Sequence, residues 1–212
     1  MFVYDGSNPR QRSEGTTHAI AAARRGELVA VNVDGAYTLI ADAFSWRGIE
    51  RIQEIKGRPD MSVPVLVGKL ETADGVAMFA GESAVVAHAI AKACWPGPLT
   101  LLARVQPSLP WTCTPDNVVA IRMPLHPWTL EIVRALGPTA CVPAHAPGSE
   151  PFADIAQVME AFGEQVGTYL DGGPCLPDQT STIVDVTGER AVLVREGAFT
   201  REYLASIAPD LA

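Results

Sequence analysis

The sequence has no apolar run near the ~18 residues that a membrane-spanning helix needs. Its start, MFVYDGSNPRQRSEG, lacks both the basic opening and the apolar stretch of a secretory signal. A soluble, cytoplasmic protein is therefore expected. Cysteine is sparse: Cys94, Cys113, Cys141 and Cys175 stand far apart with no C-x-x-C pair, which argues against a structural zinc site or a thioredoxin-type motif and for reduced, mostly buried thiols. Basic charge is short as well. With 16 Lys and Arg against 24 Asp and Glu, a formal charge of −8, the surface as a whole is not built to meet nucleic acid, although a local basic cleft is compatible with that total. Familiar catalytic signatures are also missing: no G-x-x-x-x-G-K-[ST], no G-x-G-x-x-G after a strand, no G-x-S-x-G and no H-E-x-x-H.

What is there is a chain of 212 residues, 48% apolar and 19% charged, which excludes disorder and suits one well-buried core. Helix and strand signals alternate, predicting an α/β domain rather than a helical bundle or a sandwich. Ser13 to Arg25 reads as a helix closed by Gly26, followed by a buried strand over Leu28 to Val33. Asp34-Gly35 then gives the strongest short-range hairpin signal. Ser45 caps a helix with Ile49, Ile52 and Ile55 on one face, and Pro64 to Val67 is a strand. Gly81 to Cys94 is an Ala-rich helix stopped by WPGP, after which Leu99 to Val105 and Val118 to Met123 read as strands. Pro127 opens a helix ending at Gly137-Pro138, and Phe152 to Phe162 forms another. Strands at Gly167 to Leu170, Thr182 to Val186 and Ala191 to Val194 precede a short helix from Thr200. No repeat or linker divides the chain.

Cations recur at the ends of these elements. Lys56 and Arg58 follow a helix, and Arg122 and Arg195 each end a strand. Singly, each has an ordinary explanation in the helix dipole or in solvation. Together, beyond the strand ends of one α/β sheet, they could line a concave basic cleft for an anionic ligand. Cys141 and His145 invite a metal or thiol-base reading, but Pro143 between them forbids the helix that would align them, and no metal ligand set is indicated.

The runs IKGRPDMSVPVLVG (55–68), WPGPLTLL, VAIRMPLHP, GGPCLPDQTSTIVDVTG and LVREGAF stand in an order and spacing that resemble the YrdC-like family, the threonylcarbamoyl-AMP synthases. The resemblance spans about residues 13 to 205, implying one YrdC-like domain there, a twisted mixed sheet flanked by helices with a concave basic cleft, terminal extensions at 1–12 and 206–212, and no second C-terminal domain. It implies condensation of ATP, L-threonine and bicarbonate into threonylcarbamoyl-AMP with release of pyrophosphate, the first step toward threonylcarbamoyladenosine (t6A) in tRNA. It further implies Mg2+ with ATP, and tRNA, double-stranded RNA or tRNA-modification proteins as partners. By the same resemblance, Lys56 and Arg58 are the catalytic pair on the nucleotide phosphates, Arg195 and His145 meet ATP, and Gly35, Tyr37, Arg122, Pro143 and Ser181 surround threonine.

Several of those positions depart from the family pattern. Gly35 stands where the pattern has a threonine, Pro143 where it has serine, His145 where it has asparagine, and Val118 where it has threonine. Proline cannot donate from its backbone, and imidazole does not copy an amide. At ~1 kcal/mol for each uncompensated hydrogen bond, four losses weaken binding or rate on the order of a thousandfold. Three readings stay open: a working synthase with a redrawn threonine site, a catalytically impaired paralogue that keeps a nucleotide- or RNA-binding cleft, and a carbamoyl-adenylating enzyme for another acceptor.

Overall fold

Every apolar strand in this chain must hide at least one face, and the helices are placed to hide both faces of some strands and one face of others. The computed structural model describes all residues except 110, 112, 113, 115, 146–148 and 176–179. In chain order the elements are β1 (Phe2–Asp5), α1 (Pro9–Arg24), β2 (Val29–Val33), β3 (Ala36–Asp42), α2 (Trp46–Ile55), β4 (Val65–Leu66), α3 (Leu70–Val76), β5 (Ala77–Met78) and α4 (Gly81–Cys94). They continue with β6 (Leu99–Val105), β7 (Val118–Arg122), α5 (Pro127–Leu136), β8 (Thr139–Pro143), α6 (Ile155–Phe162), β9 (Thr168–Asp171), β10 (Thr182–Asp185), β11 (Val192–Arg195) and α7 (Arg201–Ile207).

The strands form one mixed sheet in the order β1-β9-β2-β3-β8-β4-β7-β6-β10-β11, with β5 paired to β6 off that path. Parallel pairs (β1 with β9, β9 with β2, β4 with β7, β6 with β10) are mixed with antiparallel ones such as β2 with β3 and β6 with β7. Among the described residues no helix is long and apolar enough to cross a membrane.

Two helix starts show how local chemistry sets the elements. Ser45 caps α2 by accepting from the Gly48 amide, as its sequence position suggests. Helix α1 begins four residues earlier than Ser13, because Asn8 accepts from the Arg10 and Gln11 amides and Pro9 supplies a ready-made first turn. The strand before it, β1, pairs in parallel with β9 from Phe2↔Thr168 to Asp5↔Asp171. At the other end, the Ala212 amide donates to Ala191 and its carbonyl accepts from Leu193. Phe2–Asp5 and Ala212 are thus stitched to the sheet's two margins.

The sheet's two faces are filled differently. On the back, Ile49 and Ile52 of α2 and Val86 and Ile90 of α4 pack with Leu99, Leu101 and Ile121. On the front, Ala19, Ala22 and Ala23 of α1 and Trp128, Ile132 and Val133 of α5 cover Val29, Val31 and Ile40. Neither front helix reaches β6, β7 and β10. Along β6 and β7 burial alternates residue by residue, with Leu99, Leu101, Ala103, Val119 and Ile121 in the back core. The intervening Thr100, Leu102, Ala120 and Arg122 must therefore point to the uncovered front.

Candidate functional site

That uncovered front is the floor of a cavity of about 850 Å3, within the range of small-molecule sites. Arg122 from β7, Thr100 and Leu102 from β6, Ile183 from β10, and Thr38 from β3 contribute to its lining. The β2–β3 hairpin forms one wall. Asp34 and Gly35 adopt φ of 48° and 90° between the paired residues Val33 and Ala36, which is the two-residue type I′ turn an Asp-Gly pair favours. The turn and the ligand wall are the same object, since Asp34, Gly35 and Ala36 all line the cavity.

Arg122 does not stand alone there. Its NH2 donates to Asp34 Oδ2 at 2.7 Å, while Asp34 Oδ1 accepts the amides of Leu125 and His126 at 2.8 and 2.7 Å. Across the floor, Arg195 donates through Nε and NH2 to the Ser181 carbonyl at 3.0 and 2.7 Å and through NH2 to Ser181 Oγ at 3.1 Å. Thr100 donates to the same hydroxyl at 3.2 Å. Thr100 was not singled out from the sequence, although a lone threonine on the outward alternation of LTLLARV was a usable signal, and Asp34 was singled out only as half of the Asp34-Gly35 turn.

Lys56 is not among the cavity-lining residues but reaches one of them. Its Nζ donates to the carbonyls of Pro143, which lines the cavity, and His145, both at 2.6 Å. Burial lowers the Lys56 pKa from its ordinary value. Arg58 is exposed beyond the end of α2 and is not among the cavity-lining residues. The lining instead sets Arg122 and Arg195 against Asp34 and Glu150. Among the described lining residues the two arginines are thus matched by two carboxylates, and the basic hollow anticipated from the cations at element ends is not shown. Arginines do gather in a separate concavity, where Arg24, Arg25, Arg47 and Arg51 surround Glu27 and Trp46.

Tyr37, expected on the cleft wall, lies on the opposite side of β3. It is 1% exposed within the back core, and its hydroxyl donates to Asp171 Oδ1 and the Gly173 carbonyl. Strand alternation explains the correction: Ala36 and Thr38 face the cavity, so Tyr37 between them cannot. Val118 shares the outward register of Ala120 and Arg122. His145 is partly buried, with Nδ1 unpartnered, and its pKa is lowered by burial and by Lys56. Burial pushes the Cys141 thiol up to about 12, so it supplies no thiolate for a Cys–His pair. Cys94, Cys141 and Cys175 are buried and free, while Cys113 and residues 146–148 lie outside the described residues. Among the described residues no group of three or more His, Cys, Asp or Glu could hold a metal.

A family model named Sua5/YciO/YrdC and described as "Telomere recombination" matches residues 21–197. The chain belongs to the Sua5/YciO/YrdC family. It is 36% identical over 207 residues to a Mycobacterium tuberculosis protein named "Putative threonylcarbamoyl-AMP synthase", covering 97% of this chain and 94% of that one. It is 31% identical over 209 residues to the threonylcarbamoyl-AMP synthase of Pyrococcus abyssi, spanning 96% of this chain but 61% of that longer protein. The crystal structure of P. abyssi Sua5 complexed with L-threonine superposes with a TM-score of 0.83 at 28% identity, covering all of this chain and 62% of that one. The mixed sheet flanked by helices is thus the Sua5/YciO/YrdC architecture.

Two expectations follow from this wall of the site. A β-branched residue tolerates positive φ poorly, so Gly35→Thr, although it brings in the residue of the family pattern, should cost about 1–3 kcal/mol. Thermal unfolding should show a drop of roughly 2–4 °C per kcal/mol lost, and an unchanged midpoint would mean that the turn is not held at Gly35. The second concerns His126, which caps α5 through Nδ1 and whose pKa is lowered chiefly by burial, against opposing effects of Asp34 and the Gly172 carbonyl. A base with a depressed folded pKa is protonated more readily when unfolded, so its contribution is intact above the ordinary histidine value and fades as pH falls through and below it. His145 acts in the same direction, and His88, whose pKa is raised by the Ala84 carbonyl and by Asp74, in the opposite one. Any loss of denaturant midpoint between about pH 7 and 5 should therefore be smaller in His126→Asn than in the wild type, since asparagine can still accept at the cap. Equal slopes would contradict that origin.

Proposed function

We propose that this protein is a threonylcarbamoyl-AMP synthase, joining L-threonine, bicarbonate and ATP into threonylcarbamoyl-AMP with release of pyrophosphate. The supporting observation is that Arg122, Ser181 and Arg195, brought from separate strands and turns, line one cavity with Gly35 and Pro143 in a member of this family. The reaction needs no enzymic nucleophile: threonine carbamate attacks the α-phosphorus and pyrophosphate leaves. The protein's task is to hold the reactants in line and offset phosphate charge. In this reading Arg122 takes the threonine carboxylate, Ser181 the rest of the amino acid, and Arg195 and Lys56 the nucleotide, with Arg58 at the outer end of the phosphates. Lys56 would have to exchange its two carbonyl partners for phosphate oxygens. Mg2+ enters with ATP as part of the substrate, bound mainly through phosphates as that ion prefers. The Asp34 carboxylate is already committed to three donors. Proteins of tRNA modification and tRNA itself stand downstream as recipients of the product.

The test is pyrophosphate release by the purified protein with ATP, Mg2+, bicarbonate and L-threonine, together with mass detection of the adenylate. Activity that requires both threonine and bicarbonate is expected; ATP binding without turnover would instead identify an impaired paralogue. Gly35, which has no side-chain hydroxyl, and Pro143, which has no amide proton, favour a second reading, a different acceptor. A panel of amino acids in the same assay decides between them, and threonine outperformed by another amino acid would replace the first reading with the second.

A further inference from the structure

We propose that Asp34 is a positioning residue of this cavity, fixing the Arg122 guanidinium for recognition of a ligand carboxylate. The identity of that carboxylate as threonine's rests on the function proposed above, whereas the hold of Asp34 on Arg122 does not. Asp34 sits in left-handed backbone, a conformation aspartate visits at the head of a type I′ turn. There its two carboxylate oxygens divide their work. Oδ1 accepts two consecutive backbone amides, Leu125 and His126, at the entry to α5, and Oδ2 accepts Arg122 NH2. Its side chain is only 2% exposed.

A carboxylate pinned by two amides cannot swing to follow a mobile partner, so the guanidinium is located by the hairpin and the start of α5 rather than by its own flexible stem. Among the described residues the buried Arg122 Nε meets no partner, and one NH2 proton goes to Asp34. The remaining donors of the fork, on NH1 and NH2, are the ones suited to two parallel bonds with a planar carboxylate. Charge adds a second consequence. Asp34 neutralises Arg122 in a cavity whose walls include Val33, Leu66 and Phe152, so binding there depends on the geometry of the fork rather than on bare positive charge. The arrangement favours a planar carboxylate over anions that lack matching geometry.

Asp34→Asn separates holding from folding. Its Oδ1 still accepts from Leu125 and His126 and asparagine still tolerates left-handed backbone, but the other atom becomes an NH2 facing a donor. Calorimetry in the presence of ATP would compare L-threonine with L-threoninol, which lacks the carboxylate, and 15N NMR would follow the Arg122 guanidinium. Wild-type protein is expected to bind threonine and not threoninol, with the guanidinium restricted in rotation. Asp34→Asn should lose about tenfold in threonine affinity and raise the threonine KM similarly, leaving kcat and ATP affinity within about threefold, and its guanidinium signals should average. Asp34→Glu should recover part of both effects. Unchanged threonine affinity in Asp34→Asn, or a wild-type guanidinium as mobile as the mutant's, overturns the proposal. Wild-type protein that takes up neither amino acid derivative defeats the threonine reading, and the NMR comparison then decides alone whether Asp34 holds Arg122.

Discussion

Gly197→Ala should lower stability by about 1–3 kcal/mol, the usual range for overpacking, and should impair pyrophosphate release by more than that loss of folded protein explains. A Cβ at Gly197 would collide with the Thr180 carbonyl oxygen and come within 2.7 Å of both Ser181 C and Thr182 N. All three are backbone atoms, so no side chain can rotate aside to relieve the clash. The neighbourhood is also tied down from both sides: Ala198 donates its amide to Thr180, and Thr182 Oγ1 accepts from Gly197 and Phe199 and donates to the Phe199 carbonyl. The path of least resistance is then a shift of the 180–182 segment itself, which carries Ser181 between Arg195 and Thr100. Thermal unfolding and steady-state kinetics check both halves of the expectation. Gly188→Ala is the control, because a Cβ there meets nothing closer than 3.9 Å. A Gly197→Ala variant with wild-type midpoint and rate would show that this close approach does not position Ser181.

The same close approaches explain what could be read from the chain and what could not. Elements bounded by strong local signals were legible: α4 runs Gly81–Cys94 and β6 runs Leu99–Val105, as their composition and flanking residues indicate. Strand β1 was not, because its four residues are a strand only by virtue of pairing with β9, at the far end of the chain. Strand β8 was hidden for a related reason. Its short TACVP run follows Gly137-Pro138 and ends in a proline, yet Ile40 and Val65 on either side supply the ladder. The short α3 and β5 lack capping side chains or length and were likewise missed.

For the site, family motifs singled out Gly35, Arg122, Pro143, Ser181 and Arg195, all of which line the cavity. Motif position alone carries no side-chain direction. Tyr37 was therefore placed with its neighbours Ala36 and Thr38, although alternation sends it to the back core. Nor does it carry pairing: Asp34 looked like a turn former, and only the register of β7 beside β6 together with the hairpin tip brings its carboxylate to Arg122. Cations at element ends were misleading for the same reason, since a cation whose partner comes from a distant loop contributes little net potential.

Arg122→Ala is expected to be the most damaging single change, costing about 3–5 kcal/mol of stability because it strands the buried Asp34 carboxylate. Removing one member of a buried pair is worse than removing both, since the survivor keeps its desolvation cost without its counter-charge. Asp34→Ala combined with Arg122→Ala should therefore be more stable than the sum of the two single changes implies, by an amount a double-mutant cycle measures directly. Function should behave oppositely. If Arg122 is the group that receives the threonine carboxylate, the double variant regains folded protein but none of the lost threonine affinity. Arg122→Lys tests the geometry, because an ammonium restores the charge opposite Asp34 without a planar fork that can serve Asp34 and a ligand together. Its stability should recover further than its threonine KM. Were the double variant to recover activity in parallel with stability, Arg122 would be a structural partner of the hairpin, and the ligand carboxylate would have to be sought elsewhere on the cavity wall.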